Sequence, residues 1–147
     1  MNQLLDEIDK KGSVNQNSSV FINGQVLVDP TSPRVCPLSI SVSGDESYYI
    51  YMDSLTKWND DISFMVEANK TVSLDVPIGR YELYCASGNI WHGQSNKFGP
   101  NTQYYKADSN LEFTSDGEYN YGYMVELSGS SGGNIKRHTV DSSEFPG

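Results

Sequence analysis

Apolar and polar residues alternate at every second position through most of the chain from Pro37 onward. The segment at 38–42 alternates apolar residues with serine, and the segment at 48–52 separates Ile50 and Met52 from the neighbouring tyrosines. A period of two is typical of half-buried β-strands. The same pattern recurs in the segments 62–66, 72–76, 81–86, 111–113, 121–127 and 134–140.

About seven to nine short strands at this spacing predict an all-β fold. The favoured architecture is an antiparallel β-sandwich, and a partly open β-barrel is the runner-up. The segments 62–66 and 72–76 flank a four-residue turn, which predicts an antiparallel hairpin with one apolar face. If the tyrosine-rich strands at 48–51 and 119–123 are neighbours, they also predict a row of exposed tyrosines.

The chain before residue 36 has a different character. We interpret residues 1–35 as an N-terminal arm or linker and residues 36–147 as the β-sandwich domain. The sequence LLDEI predicts a short helix or arm near the start. Asn23-Gly24 lies between two β-branched runs and predicts a short hairpin at 20–28 with positive φ at both turn residues, or one strand with a bulge at Gly24. Pro30 and Pro33 mark the domain edge.

The chain carries a formal charge of −9, and residues 44–126 hold 13 acids against 5 bases. Such a field repels phosphate, so direct nucleic-acid binding and anionic membranes are disfavoured as partners. No apolar run approaches the roughly 20 residues that a membrane span needs. The N-terminus lacks an apolar signal region, so we expect a cytoplasmic protein, or a cell-surface one if this chain is a fragment.

The loop between residues 88 and 105 is the leading candidate for a contact surface. Glycines punctuate it, and its aromatic side chains alternate with amides, a mixture suited to a protein partner or a glycan. The candidate binding residues are Trp91, His92, Phe98, Asn101, Tyr104 and Tyr105. In the alternative interpretation, Trp91 and Phe98 fold inward and cap the sandwich.

The sequence offers little for catalysis, so we expect no enzyme, no catalytic residues, no cofactor and no metal site. His92 has no nucleophile in a strained turn beside it and no acid placed to orient it. Cys36 and Cys85 are too few for a structural zinc site, and they would pair only in an oxidising compartment. The pattern of its strand instead predicts that Cys85 is a buried thiol. The turn at 115–118 is interpreted as a hairpin first and a calcium ligand second.

Two motifs resemble known families. VPIGRYEL (76–83) resembles the turn of prealbumin-like and collagen-adhesin B-type sandwiches. The longer region 37–145 resembles a small β-domain of Gram-positive bacteria and their mobile elements, whose core is YxLxYASGxxWxGxxxxFGxxTxYxKAD. Cys85 stands where that group usually has an aromatic residue, and His92 stands where it has tyrosine. The resemblance implies a β fold, often joined to a membrane anchor or a zinc ribbon, and it implies no activity.

Two functional hypotheses follow. The first is a non-enzymatic binding module of bacterial or phage origin that presents the loop to a protein, including a basic one, or to a glycan. The second is an acidic inhibitor of the phage type, which mimics nucleic acid as some anti-CRISPR proteins do and blocks a basic nucleic-acid-binding enzyme. Its contact residues would be Asp60, Asp61, Asp116 and Glu118. Salt should weaken the second mode steeply and the first only slightly.

Overall fold

The computed structural model describes residues 20–129 and 132–146, which form twelve strands and two short 3₁₀ helices. The strands are β1 (Val26–Val28), β2 (Cys36–Ser43), β3 (Ser47–Ser54), β4 (Ile62–Val66), β5 (Thr71–Val76), β6 (Gly79–Gly88), β7 (Gln103–Ala107), β8 (Leu111–Ser115), β9 (Asn120–Tyr121), β10 (Tyr123–Ser128), β11 (Gly132–Gly133) and β12 (Arg137–Thr139). The 3₁₀ helices are Gly99–Asn101 and Ser142–Glu144. The predicted helix or arm near the N-terminus lies outside the described residues.

The strands form two sheets. The larger sheet has the order β1-β4-β3-β6-β7-β12, and β8 joins β6 at the end that β7 does not reach, with β9 beside it. The smaller sheet has the order β11-β10-β2-β5, and its β10 and β2 run parallel. The prediction of an all-β fold of sandwich or open-barrel type is confirmed. Among the strands that the periodic pattern did not predict, β7 overlaps the end of the loop expected at 88–105, whereas β1, β9 and β11 are only two or three residues long. A strand of two or three residues is too short to produce a periodic pattern.

The main core lies between the two sheets. The inward positions of β2, β3, β4 and β6 alternate as the sequence predicts, so that Ile50, Met52, Leu83 and Cys85 all lie in this core. A side chain buried at alternate positions of a strand removes its apolar surface from water on one face of the sheet. This burial holds the two sheets together.

A second apolar cluster covers the opposite face of the larger sheet. There the alternate residues of β3 and β6, including Tyr49, Tyr51 and Tyr84, pack against Trp91, Phe98 and Phe145. All five residues of β4 are therefore buried. The larger sheet is covered on both faces, by the smaller sheet on one side and by loops and a terminal segment on the other.

The predicted hairpin of segments 62–66 and 72–76 is wrong. β4 pairs with β3 and β1 in the larger sheet, whereas β5 pairs with β2 in the smaller one. The turn between them, closed by the Lys70 amide donating to the Glu67 carbonyl at 3.1 Å, carries the chain from one sheet to the other. Both sheets face the same core, so the two strands show the same alternation of apolar and polar residues whether they pair in a hairpin or lie in different sheets.

The hairpin expected at 20–28 is also absent. A turn is present at Asn23-Gly24, where the Gln25 amide donates to the Ile22 carbonyl at 3.1 Å. Only Gly24 has a positive φ, 84°, so the turn is not the type that joins two strands of a tight hairpin. Residues 20–22 form no strand, and β1 pairs with β4 instead.

The expected row of exposed tyrosines does not form. β3 belongs to the larger sheet, whereas residues 119–123 lead through β9 into β10 of the smaller sheet. Tyr48, Tyr49 and Tyr51 are buried on the two faces of β3. Tyr119 and Tyr121 are exposed and Tyr123 is half-buried, so the tyrosines of the two segments form no common exposed face.

Candidate functional site

The segment that links β6 to β7 forms a compact cap over the larger sheet. β6 continues to Gly88 and β7 begins at Gln103, so this segment, called here the cap loop, comprises residues 89–102. The loop expected at 88–105 is therefore shorter, and Tyr104 and Tyr105 lie in β7. Tyr105 is buried in the main core and Tyr104 is half-buried against the second cluster.

Two aromatic anchors fix the cap loop to the sheet. Trp91 is only 5% exposed and Phe98 only 6%. The Trp91 ring lies 5.2 Å from the Phe98 ring and 5.4 Å from the Tyr49 ring, measured between centroids. Both side chains therefore cap the sheet, as in the alternative interpretation of the sequence, and point away from solvent.

Gly88 makes this packing sterically feasible. A Cβ atom at position 88 would lie 2.3 Å from the Phe98 Cβ atom, well inside any allowed contact. The absence of a side chain at the end of β6 therefore creates the space that the Phe98 ring occupies.

Hydrogen bonds inside the cap loop hold its backbone. The His92 amide donates to the Lys97 carbonyl, and the Lys97 amide donates to the Gly93 carbonyl, both at 2.6 Å. The Phe98 amide donates to the Thr102 hydroxyl at 3.0 Å. A loop closed by its own bonds and by buried rings loses little conformational freedom on binding.

A buried lysine reinforces the cap loop from inside. Lys97 is 6% exposed, donates to the Gln94 carbonyl at 3.1 Å and lies 5.0 Å over the Phe145 ring. Burial lowers the pKa of the Lys97 ammonium group. Its contacts link the cap loop to the C-terminal segment.

The outer side of the cap loop carries a small pocket of about 250 Å³. Three of the predicted binding residues line it, namely His92, Phe98 and Asn101, together with Glu46, Gly88, Asn89, Ile90 and Pro100. Ile90 is 61% exposed and is the most exposed large hydrophobic side chain among those that line the pocket. The pocket thus combines apolar side chains with amide, imidazole and carboxylate groups.

The structure separates His92 from Cys85. The Cys85 side chain lies in the main core, whereas the cap loop that carries His92 covers the opposite face of the same sheet. Burial raises the pKa of the Cys85 thiol to about 12, so a thiolate there is strongly disfavoured at neutral pH. Cys36 is likewise buried, and both cysteines are free thiols.

The first pair of predicted acidic contacts divides into a buried and a half-buried residue. Asp60 is 3% exposed and accepts hydrogen bonds from the Thr31 and Ser32 amides at 3.1 and 2.9 Å. Burial alone would raise the pKa of Asp60, but the bonds from Ser32 and Thr31 outweigh it and hold the pKa below the ordinary value. Asp60 therefore tethers the segment after β1 and cannot imitate an exposed phosphate.

Asp61 is only half-buried and accepts from the Tyr51 hydroxyl and from the Ser54 amide, both at 2.7 Å. The second acidic pair, Asp116 and Glu118, is exposed on the turn between β8 and β9. Asp116 accepts bonds from the Glu118 and Tyr119 amides and from the Tyr121 hydroxyl. Those bonds, from the Tyr119 amide first, lower its pKa and close the turn.

Sequence reasoning missed the most exposed aromatic side chain of the described residues. Trp58, in the segment between β3 and β4, is 86% exposed. It lines an open cavity of about 420 Å³ together with Asp29, Asp53, Asp61 and Lys57. The local sequence LTKWNDD indicates only a polar turn, so the exposure of this indole could not be read from it.

Carboxylates crowd this cavity. Burial first, and then the nearby Asp61 and Glu82 charges, raise the pKa of Asp53. Glu82 has a cation of its own, because Lys106 lies 3.0 Å from it. Asp29 is paired with Arg34 at 3.3 Å, and Lys57 donates to the Ser32 hydroxyl at 3.0 Å.

Within residues 20–129 and 132–146, no group of three His, Cys, Asp or Glu side chains is arranged to hold a metal ion. No helix in this part of the chain is long and apolar enough to cross a membrane.

Comparison with known proteins gives no relative: no family model, no curated protein and no solved structure matches the chain. The likeness to the Gram-positive β-domain therefore depends on the motif residues alone.

Proposed function

We propose that this protein is a non-enzymatic binding module whose partner is another protein. The observation that carries the proposal is the pre-organised cap loop, which is anchored by buried rings and presents Ile90 beside a small pocket. Rigid loops on a β scaffold are common binding surfaces, because little entropy is lost when they engage a partner. The proposed contacts keep His92 and Asn101 from the sequence prediction and add the exposed Ile90.

We propose that the protein is cytoplasmic, with the cell surface as the alternative if the chain belongs to a longer protein. A glycan is the competing ligand at the same pocket, because its amides and imidazole suit hydroxyl groups. The motif resemblance supports a bacterial or phage origin and adds no chemistry.

Matched isoleucine variants test the proposal. Ile90 and Ile78 are exposed to similar extents, 61% and 55%, but Ile78 lies in the turn between β5 and β6, outside the cap loop. The full chain would be immobilised as wild type, Ile90→Ser, Asn101→Ala and Ile78→Ser, and each would be challenged with bacterial lysate and with a glycan array.

We expect one protein species to be retained by wild type and Ile78→Ser, and to be lost with Ile90→Ser and Asn101→Ala. Retention that all four proteins share equally would refute the loop as the contact surface. Binding to glycans alone, with the same dependence on position 90, would refute the protein partner.

The acidic inhibitor is a second candidate, favoured by the exposure of Asp116 and Glu118 on one turn. In that case the captured partner would be a basic nucleic-acid-binding enzyme, and the complex would dissociate steeply as salt rises. The double variant Asp116→Lys/Glu118→Lys should then abolish capture, whereas Ile90→Ser should not. A salt-resistant complex that tolerates the double variant would exclude this candidate.

A further inference from the structure

The cavity beside Trp58 is distinct from the cap-loop pocket, and the two share no lining residue. At about 420 Å³ it falls in the size range of ligand sites and is open to solvent. The remaining lining residues are Val28, Thr31, Tyr51, Ser54 and Asn59. This cavity is the strongest unassigned feature among the described residues.

The indole itself indicates a contact surface. Trp58 is 86% exposed, whereas the other tryptophan, Trp91, is 5% exposed. Leaving a tryptophan side chain in water forfeits the burial energy of the largest apolar side chain, and exposed tryptophan is enriched where proteins bind one another. Among the described residues no ring lies close enough to Trp58 to form an aromatic pair with it.

The acidic side chains around the indole indicate that the ligand is positively charged. Asp53 and Asp61 face the cavity, and the cations around it already have partners: Lys57 donates to Ser32, Arg34 pairs with Asp29, and Lys106 pairs with Glu82. The raised pKa of Asp53 reflects burial together with repulsion from Asp61 and Glu82. A cation entering the cavity would relieve that repulsion.

The arrangement favours a guanidinium group over an ammonium group. Asp53 lies near the end of β3 and Asp61 directly precedes β4. Two such carboxylates can accept the parallel N–H donors of a guanidinium, and its flat face stacks on an indole. An ammonium group is a compact, strongly hydrated charge that gains less from either contact.

We propose that the cavity lined by Trp58, Asp53 and Asp61 is a second binding site, which takes an arginine side chain of a protein partner. This second site is separate from the cap loop, and its existence does not depend on the function proposed for that loop. The arginine would enter from solvent, stack on the Trp58 indole and donate to the carboxylates of Asp53 and Asp61.

The two tryptophans supply their own probe and control. The full chain would be labelled with 5-fluorotryptophan and followed by ¹⁹F NMR during titration with the capped tripeptide Gly-Arg-Gly. Peptides with lysine, or with citrulline, which has the shape of arginine without its charge, serve as matched ligands. We expect a saturable shift of the Trp58 signal with the arginine peptide, a weaker one with lysine, none with citrulline, and a constant Trp91 signal.

Asp53→Asn should weaken binding about tenfold or more, because one charge-assisted contact is lost. Glu112→Gln, an exposed acid on β8 outside the cavity, should leave the titration unchanged. Equal shifts with arginine and citrulline, or with arginine and lysine, would overturn the assignment of arginine. An unperturbed Trp58 signal would overturn the site while leaving the cap-loop proposal to its own test.

Discussion

Removing the indole of Trp91 should lower the stability of the protein substantially, whereas removing the indole of Trp58 should leave it almost unchanged. Trp91 is 5% exposed and contacts the rings of Phe21, Tyr49 and Phe98 at centroid distances of 5.2 to 5.7 Å. A buried tryptophan removes about 200 Å² from water, which at about 25 cal/mol per Å² corresponds to about 5 kcal/mol. Truncation to alanine keeps a small part of that burial, so we expect Trp91→Ala to lower the free energy of unfolding by about 4 kcal/mol.

Urea unfolding followed by far-ultraviolet circular dichroism measures this difference without relying on tryptophan fluorescence. With a slope of about 2 kcal/mol per M, the midpoint of Trp91→Ala should fall by about 2 M. Trp58→Ala deletes the same side chain from a site that is 86% exposed, and its midpoint should stay within about 0.3 M of wild type. Equal midpoints for the two variants would refute the interpretation of Trp91 as an anchor of the cap loop.

Three further predictions concern stability and the thiols. Gly88→Ala should destabilise the protein by about 1–3 kcal/mol, because its methyl group would overlap Phe98. In a thermal melt this loss should shrink when Phe98 is also replaced by glycine, which lacks the clashing Cβ atom; an undiminished loss would contradict the steric cause. The lowered pKa of Asp60 means that its contribution to stability is complete above the ordinary value near 3.8 and is lost as pH falls through the lower folded value. The Asp60→Asn variant should therefore be less stable than wild type at pH 7. Between pH 4 and 2 its free energy of unfolding, measured by urea titration, should change less with pH than that of wild type, and an equal pH dependence would contradict this role of Asp60. Because Cys36 and Cys85 are free and buried, a thiol reagent at pH 8 should label neither in the native protein and both in urea, and rapid labelling of the native protein would contradict their burial.

The strands that the sequence predicts best are those in the middle of the larger sheet. In β3 the alternation assigns Ile50 and Met52 to one face and Tyr49 and Tyr51 to the other, as the two clusters have them. The burial of both faces was harder to foresee, because tyrosine is compatible with either water or a second apolar layer. What covers the tyrosines comes from distant parts of the chain, namely the cap loop and Phe145.

The sequence predicts which residues form strands better than it predicts which strands pair with each other. The residues of β4 and β5 have the alternation of a hairpin, and a short turn joins them. A local pattern specifies which side chains face inward, but it does not specify which neighbouring strand supplies the hydrogen bonds. Only the positions of β2 and β3, one in each sheet, decide that the chain crosses over at Lys70.

The candidate sites are only partly predictable, because the composition of a loop does not determine which of its side chains point outward. His92 and Asn101 do lie at a surface pocket, but the same loop composition is also compatible with rings that point inward, and Trp91 and Phe98 do so. Trp58 was overlooked because a single aromatic residue in a polar turn has no periodic partner that would indicate whether it is buried.

The parallel pairing of β10 with β2 has a consequence for biosynthesis. β2 is among the first strands to leave the ribosome, yet the partner that completes its hydrogen bonds on one side belongs to the last third of the chain. Until that partner is translated, the nascent chain exposes an unpaired strand edge that invites association with other chains. The native sheet therefore closes late, and a truncation before β10 would leave a product prone to aggregate rather than a smaller stable domain.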